Sequence, residues 1–224
     1  MNNAVNKDHL YNVSEVFYSI QGEGTRAGEP CVFIRLQGCM LRCSWCDTPY
    51  ALEARQIESM MTEAQILEKV RSYGCNFIEF TGGEPLMQPI AGMLKDFCDH
   101  GFTVALETNG HASLEAVDRR VIKIMDIKCP DSRMSKFNNY RNIELLDKKD
   151  EVKFVLASRE DYNFAVDAIR KYELEERVAA ILLSTVFETI ELRDLAEWIL
   201  NDKLKVRLQV QLHKLIWEPS LRGV

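Results

Sequence analysis

The sequence predicts an α/β fold of alternating strands and helices, arranged as a partial, incomplete TIM-type β/α barrel. Short apolar runs typical of buried strands alternate with longer stretches that repeat apolar residues at helical spacing. The 224 residues contain no internal repeat, low-complexity block or Pro/Ser-rich linker. We therefore expect one domain, residues 1–224, with about six parallel strands, fewer than the eight that close a full barrel.

Eight runs rich in Val, Ile, Leu and Phe predict the strands. They cover residues 13–20, 31–36, 76–80, 102–107, 121–127, 151–157, 178–185 and 205–211. Because amphipathic stretches separate many of these runs, we expect parallel pairing through right-handed crossovers.

Four amphipathic stretches predict helices. They cover residues 62–70, 86–100, 159–176 and 188–201. Thr62 is of a type that caps helix N-termini, and Gly101 is suited to the position after a helix C-terminus. These two residues set the beginning of the first helix and the end of the second.

Composition and charge bound the function. The chain has 28 basic and 34 acidic side chains, a net charge of −6, so we expect no direct binding to nucleic acid or to a membrane surface. The polar N-terminal residues 1–8 lack the apolar core of a signal peptide, and the apolar run 178–186 is too short to span a bilayer. We expect a cytoplasmic protein with a small-molecule substrate.

Three cysteines form the most informative motif. Cys39, Cys43 and Cys46 have the spacing C-x-x-x-C-x-x-C, with Gly38 before them and Trp45 inside the loop. A cubane iron–sulfur cluster is normally held by four thiolates, so three leave one iron open to an outside ligand. The other cysteines lie among apolar residues and are interpreted as buried free thiols: Cys31, Cys75, Cys98 and Cys129.

The alternative is a structural zinc site completed by a distant Cys or His. Zinc sites of this kind usually combine two C-x-x-C pairs, or a Cys pair with a His pair, and the chain has neither arrangement. The spacing favours the cluster.

At these residues the chain resembles the radical S-adenosylmethionine (SAM) superfamily. The C-x-x-x-C-x-aromatic-C loop is similar to the superfamily signature, and Thr81-Gly82-Gly83-Glu84-Pro85 resembles its Gly-Gly-Glu-Pro stretch. The resemblance implies a [4Fe-4S] cluster whose open iron binds the amino and carboxylate groups of SAM. It also implies the partial barrel.

The motifs follow predicted strands, where functional groups of parallel β/α folds gather. By resemblance, the SAM-contacting residues are Gly83, Glu84, Glu107, Asn109, Asp126, Ile127, Lys128 and Ser184. Taken alone, Glu107-Thr108-Asn109-Gly110 is typical of a turn with Asn-Gly at its tip. Lys128 is equally compatible with a surface lysine at a strand end.

The glycine-rich segment near the N-terminus is not a dinucleotide-binding loop. Gly22, Gly24 and Gly28 give G-x-G-x-x-x-G and lead into a strand instead of a helix. Ser19 to Gly24, together with Arg35, instead resembles one branch of the superfamily, the 7-carboxy-7-deazaguanine synthases of queuosine biosynthesis. That family contracts the ring of 6-carboxy-5,6,7,8-tetrahydropterin with loss of ammonia.

The residue types suit such a bicyclic pterin. A Gln side chain and Gly backbone can read its amide edge, Glu23 can accept from ring N–H groups, and Arg35 can clamp its carboxylate. The alternative is a tight turn with solvated Gln21 and Glu23 and a surface Arg35. The substrate-binding residues implied by the resemblance are Ile20, Gln21, Gly22, Glu23, Arg35, Thr81 and His213.

Two further features rest on the same resemblance. Thr48 matches a threonine that presents its hydroxyl to Mg²⁺. Some relatives finish at the proline matching Pro219 and bring the terminal carboxylate to the substrate, whereas this chain continues through Val224, which puts that contact in doubt.

The resemblance also implies partners, namely a flavodoxin or ferredoxin as reductant and a second copy in a homodimer. Two other functions stay open. One is a radical SAM activase that places a glycyl radical on a partner protein, and the other is a non-catalytic, zinc-stabilised binding module.

Overall fold

The protein is described by a computed structural model at residues 9–55, 58–187, 189–218 and 221–224. The strands of this part of the chain are β1 (Leu10–Ile20), β2 (Pro30–Leu36), β3 (Ser59–Thr62), β4 (Phe77–Gly82), β5 (Thr103–Thr108), β6 (Ile122–Asp126), β7 (Glu151–Leu156), β8 (Ala180–Thr185) and β9 (Arg207–Gln209). They form one sheet in the order β3-β1-β2-β4-β5-β6-β7-β8-β9.

Helices connect many of the strands. They are α1 (Glu63–Ser72), α2 (Ala91–Asp99), α3 (Arg159–Lys171), α4 (Leu174–Arg177), α5 (Leu192–Asp202) and α6 (His213–Ile216). Short 3-10 turns cover Pro49–Ala51, Pro85–Met87, Pro130–Ser132, Ser135–Phe137 and Tyr140–Leu145. Among the described residues, no helix has the length and apolar character needed to span a bilayer.

The sheet is parallel from β2 to β9, as the alternation of strands and helices predicts. The first strand differs, because β1 pairs antiparallel with both β2 and β3. The strand order leaves β3 and β9 as free edges, so the sheet is open. The prediction of a partial barrel is confirmed.

Two predicted helices are broken where the chain cannot continue the α conformation. In 86–100, Gln88 is extended before Pro89, so α2 begins only at Ala91, and Gly101 follows its end with φ 86°. In 159–176, Glu173 at φ 51° separates α3 from α4. The beginning of 188–201 falls partly outside the described residues, since Glu188 is not among them.

Thr62 caps α1 as predicted. Its hydroxyl accepts a hydrogen bond from the backbone N–H of Gln65, and the Gln65 side chain accepts one from the N–H of Thr62. This reciprocal pair satisfies two of the donors that a helix N-terminus leaves free.

The two faces of the sheet differ in chemistry, because successive side chains of a strand point to opposite sides. Ile34, Phe80 and Leu106 belong to the main apolar core, together with helix residues such as Met93 and Ile169. The concave face carries a smaller cluster that includes Phe33, Phe77 and Ala105. The same concave face carries charged side chains, and their neighbours along each strand point into the main core on the other face. These charged residues are Arg35, Glu79, Glu107, Asp126, Glu151 and Lys153.

The four cysteines outside the motif are free thiols, as predicted. Cys31 and Cys129 are buried, but Cys75 and Cys98 are only half-buried. The prediction of four buried cysteines is therefore wrong for these two. Cys75 precedes β4, and Cys98 lies in the last turn of α2, where the apolar face of the helix ends.

Candidate active site

A cavity of about 460 Å³ opens at the carboxyl ends of the parallel strands. This volume suits a small-molecule ligand. Its wall contains most of the residues predicted to be functional: Ile20, Gln21, Gly22, Glu23, Arg35, Cys43, Cys46, Thr48, Thr81, Gly83, Glu107, Asn109, Asp126 and His213. The predicted residues that stand behind this wall are Cys39, Glu84, Ile127, Lys128 and Ser184.

The cysteine loop leaves β2 and is fixed by backbone hydrogen bonds. The N–H of Gly38 donates to Ala51 O at 2.8 Å, and the N–H of Cys39 donates to Leu52 O at 2.9 Å. The Arg42 guanidinium donates to Cys39 O at 2.7 Å, which closes the loop on itself. The fold therefore presents the three sulfurs from one anchored segment.

The sulfurs have an environment suited to metal-bound thiolates. Burial raises the pKa of all three thiols, which disfavours free thiolates. The Asn109 amide Nδ2 donates to Cys39 Sγ at 3.7 Å. A metal deprotonates such thiols outright, and this N–H donor then stabilises the bound sulfur.

Zinc fits the arrangement less well than a cluster. The described residues contain no group of three or more His, Cys, Asp and Glu side chains that converge on one ion. A structural zinc needs four such ligands around a single centre. Each thiolate of a cubane binds a different iron, so Cys39, Cys43 and Cys46 need not converge on one point.

Gly82 and Gly83 are needed for close packing of two loops. A Cβ at Gly82, where φ is 152°, would stand 2.2 Å from Leu36 O. A Cβ at Gly83 would stand 2.4 Å from Gly38 O and 2.7 Å from Ala51 O. The glycine pair therefore seats β4 directly against the base of the cysteine loop.

Glu84 ties the same stretch to β5. Its buried carboxylate accepts from the Thr108 hydroxyl at 2.8 Å, from the Asn109 N–H at 2.7 Å and from the Leu86 N–H at 3.0 Å. Burial raises the pKa of this carboxyl despite the three donors. In this structure both carboxylate oxygens of Glu84 have partners within the protein.

The ends of β6 and β8 carry two buried oxygens without a hydrogen-bond partner among the described residues. These are Asp126 Oδ1 and Ser184 Oγ. Asp126 Oδ2 accepts from the Lys128 ammonium at 2.7 Å, so Lys128 is paired and is not a solvated surface lysine. Ile127 belongs to the core, and its N–H donates to Lys153 O at 2.9 Å.

Unpaired buried acceptors at a cavity are uncommon in a finished core and fit a site that receives hydrogen-bond donors from a ligand. Asp126 lines the cavity, whereas Ser184 stands behind its wall at the end of β8, which β7 separates from β6. On this observation the residues fit the hydroxyl and amino groups of SAM.

Gln21 is buried, so the interpretation as a solvated turn residue is wrong for it. Its amide Nε2 donates to the Glu79 carboxylate, and its Oε1 accepts from the Glu23 N–H at 3.1 Å. These two hydrogen bonds hold the buried side chain within the protein at the turn after β1.

Arg35 lies on the concave face, so the interpretation as a surface arginine is also wrong. Its Nε donates to Glu15 at 2.7 Å, and the side chain is 18% exposed. Tyr50 donates its hydroxyl to the same Glu15 oxygen at 2.9 Å. This support fixes the plane of the guanidinium at the cavity wall.

The far wall is built from the C-terminal segment. His213 begins α6 and packs against the backbone at Gly22, where a Cβ would stand 2.2 Å from His213 Nδ1. Gln211 donates to Glu23 at 2.9 Å, and Lys214 donates to Gln211 at 2.7 Å. Burial lowers the pKa of His213, which favours a neutral imidazole near neutral pH.

Thr48 and Asp47 adjoin each other at the cavity. The Thr48 hydroxyl donates to Asp47 Oδ1 at 2.8 Å. Asp47 is exposed by its accessible surface; desolvation within the cavity would raise its pKa, but nearby cations, Lys153 foremost, lower it. The pair offers an ionised carboxylate and a hydroxyl side by side.

The residues after Pro219 also reach the cavity. Pro219 itself lies outside the described residues, whereas Leu221 to Val224 line the wall. Arg222 stacks 3.7 Å from the centre of the Tyr50 ring and pairs with Glu58 at 2.9 Å. The extension thus rests beside Arg35, against the same tyrosine that supports Glu15.

Lys153 is the most important residue that the sequence analysis missed. Its ammonium, 8% exposed, contacts Glu23 and lies 2.8 Å from Glu107. Glu79 was missed too, and burial beside Glu107 and Glu23 raises its pKa well above the ordinary value. Both residues interrupt apolar strands at concave-face positions, and that alternation is the signal that could have found them.

Comparison with known proteins places this site in a family. A model described as "Radical SAM superfamily" matches residues 33–185, which include all three motif cysteines and the Gly-Gly-Glu-Pro stretch. A protein named 7-carboxy-7-deazaguanine synthase from Chlorobaculum tepidum is 43% identical over 217 residues, covering 95% of this chain and 97% of that protein. One of the same name from Clostridium acetobutylicum is 40% identical over 220 residues, covering 96% and 99%.

The fold agrees with a solved structure. The crystal structure of QueE from Escherichia coli matches with a TM-score of 0.74 and 22% identity, covering 90% of this chain and 94% of that one. Radical SAM enzymes use a [4Fe-4S] cluster and SAM, which the cysteine loop and the open acceptors of this cavity fit. With full-length relatives above 30% identity, the chain belongs to the 7-carboxy-7-deazaguanine synthase family of radical SAM enzymes.

Proposed function

We propose that this enzyme converts 6-carboxy-5,6,7,8-tetrahydropterin to 7-carboxy-7-deazaguanine with loss of ammonia, as a step in queuosine biosynthesis. The observation that carries the proposal is a single cavity lined both by the cysteine loop, through Cys43 and Cys46, and by Arg35, Glu23 and His213. Cofactor and substrate would therefore share one cavity, which holds the reacting atoms together.

Cys39, Cys43 and Cys46 would hold the cluster. When bound, the cluster would supply the electron for reductive cleavage of SAM, and that cleavage is the source of the radical that removes hydrogen from C6 of the pterin. The protein's contribution is to place C6 beside SAM and to keep other groups from reacting.

The SAM subsite would lie along β4 to β8. Glu107 offers a carboxylate to the ribose diol, and Asp126 and Ser184 offer the unpaired oxygens described above. Asn109, whose Nδ2 lies 3.7 Å from Cys39 Sγ, connects this subsite to the cluster loop. Gly83, Glu84, Ile127 and Lys128 would shape it from behind.

The substrate subsite would lie between Arg35 and the C-terminal segment. With its Nε held by Glu15, Arg35 has two terminal nitrogens for a bidentate bond to the pterin carboxylate. Burial would raise the pKa of Glu23, but Lys153 lowers it below the ordinary value, so the carboxylate stays ionised and accepts from ring N–H groups. Ile20, Gln21, Gly22, Thr81 and His213 would complete the wall.

A magnesium ion at Thr48 is part of the proposal. The adjoining Asp47 supplies the kind of carboxylate that Mg²⁺ prefers, with waters completing an octahedral shell. There the ion would neutralise the substrate carboxylate together with Arg35.

We also propose that the chain forms one domain, acts in the cytoplasm as a homodimer and receives its electron from a flavodoxin or ferredoxin. These features are supported by the family membership.

The test is anaerobic turnover of the iron- and sulfide-reconstituted enzyme with SAM, a reductant and 6-carboxytetrahydropterin. We expect mass spectrometry to detect 7-carboxy-7-deazaguanine, and deuterium placed at C6 to leave that carbon. If SAM is cleaved but the pterin neither binds nor reacts, the substrate is wrong, and an activase acting on a protein glycine becomes the better hypothesis.

A further inference from the structure

Lys153 lies in the middle of β7, on the concave face of the sheet. Its chain neighbours Val152 and Phe154 point into the apolar core on the other face. The alternation of the strand therefore places a charged ammonium in the cavity wall, with 8% of the side chain exposed.

The ammonium contacts carboxylates from two separate parts of the fold. Glu23 belongs to the turn that follows β1, and Glu107 belongs to β5. In the proposed function Glu23 receives the pterin and Glu107 receives the ribose of SAM. One lysine thus joins the substrate subsite to the cofactor subsite.

The surroundings make this lysine hard to replace. Asp47 and Asp126 also interact electrostatically with this ammonium, although Asp126 has Lys128 as a second cationic partner. Without the ammonium, the half-buried carboxylates of Glu23 and Glu107 would be like charges with no counter-ion between them, and they would repel each other. Their positions therefore depend on Lys153.

We propose that Lys153 is a positioning residue that makes the binding of SAM and of the pterin cooperative, a proposal that rests on the proposed function. A ligand that hydrogen-bonds to Glu107 immobilises that carboxylate and, through it, the ammonium and Glu23. The second ligand then meets an ordered subsite and loses less conformational freedom on binding. The cooperativity is positive, and it is the same whichever ligand binds first.

The test measures the Kd of SAM with and without saturating 6-carboxytetrahydropterin, by anaerobic calorimetry on the reconstituted enzyme. The cluster is left oxidised, so that no turnover occurs. For the wild type we expect the pterin to tighten SAM binding by about 5- to 150-fold, the usual range for coupled sites. In Lys153→Met we expect the factor by which the pterin tightens SAM binding to fall towards one. In Lys153→Arg we expect most of this factor to remain.

Lys123→Met is the matched control. Lys123 is an equally buried lysine, paired with Asp150 at 2.8 Å, but it lies on the neighbouring strand outside the cavity wall. This variant loses a buried ion pair and is expected to keep the wild-type factor. An equal loss of cooperativity in both variants would overturn the proposal, because the cause would then be general destabilisation.

A second route does not require that Lys153→Met folds. In Glu23→Gln, Glu107→Gln and the double variant, each carboxylate keeps its shape but loses its charge. If Lys153 joins the two, their effects on the cooperativity factor are strongly non-additive, whereas additive effects overturn the inference.

Two further outcomes separate this inference from the proposed function. A wild type that binds the pterin without any effect on SAM affinity overturns only the role of Lys153. A wild type that binds SAM but no pterin overturns the proposed function, and the inference with it.

Discussion

Arg35 donates its Nε–H to Glu15 at 2.7 Å, and this bond leaves the guanidinium at the cavity wall with two terminal nitrogens that form no hydrogen bond or ion pair with a described residue. Glu15 is itself held by the Tyr50 hydroxyl. Burial raises the pKa of Tyr50 to about 12, so its proton is kept for that bond at neutral pH. The fold thus fixes an arginine before any ligand arrives.

Replacing Arg35 by Lys tests this arrangement. A lysine ammonium cannot form two parallel bonds to a carboxylate, so we expect KM for the pterin to rise by about 10- to 100-fold, corresponding to ~1.5–3 kcal/mol for a charged hydrogen bond. Steady-state kinetics measure this KM. Arg120→Lys is the control, because Arg120 pairs with Asp99 and Asp118 at the exposed surface. Equal kinetics for Arg35→Lys and wild type would contradict the clamp.

Gly83→Ala should prevent cluster assembly. The new Cβ would collide with Gly38 O and Ala51 O, and these carbonyls cannot move without displacing the cysteine loop. We expect most of the bound iron and the visible absorbance to be lost after reconstitution.

Gly74→Ala is the control for backbone strain alone. Gly74 has φ 66°, yet its Cβ would meet nothing within 4 Å. That variant should lose about 1–2 kcal/mol of stability and keep its cluster. A full complement of iron in Gly83→Ala would show that the packing contact is not required.

His213 should make the protein less stable in acid. Because burial holds its folded pKa below the unfolded value of about 6.5, the unfolded chain binds the proton first, and stability is lost as pH falls through that window. Chemical denaturation at pH 7.5 and pH 5.5 gives the free energy of unfolding of wild type and His213→Gln. We expect the wild-type value to fall more; an equal fall in both proteins would contradict the burial of a neutral imidazole.

Arg222→Ala tests the extension beyond Pro219. The cation–π contact with Tyr50 and the pair with Glu58 are partly exposed, so their loss should cost about 0.5–1 kcal/mol. If that contact orders the cavity wall, KM for the pterin should rise by about 2- to 5-fold with kcat unchanged. No change in KM would show that the segment only rests on the surface.

Much of the fold follows from periodicity. Parallel strands, the cap at Thr62 and the glycine after α2 each have a local cause, and each was predicted. The short strand β3 was not, because its four residues are partly exposed and owe their conformation to pairing with β1. The antiparallel direction of β1 likewise depends on partners distant in sequence.

The candidate active site also has parts that local sequence predicts and parts that depend on residues distant in the chain. The cysteine spacing and the glycine pair carry their chemistry in local sequence, so they could be found. Glu84 illustrates the opposite case, since only the folded chain shows that its carboxylate is used by Thr108 and Asn109. Lys153 and Glu79 are intermediate in how well the sequence predicts them. The alternation of side chains along a strand indicates the face on which they lie, but their partners come from β5 and from the turn after β1.

The most direct test of the central claim concerns the iron that the three cysteines leave without a protein ligand. Electron–nuclear double resonance on the reduced, reconstituted enzyme is to be recorded with SAM carrying ¹⁵N in its amino group and ¹⁷O in its carboxylate. We predict hyperfine coupling from both labels to the cluster, as expected if SAM binds that iron. A fully assembled cluster that shows no coupling from either label, with bound SAM, would contradict the account.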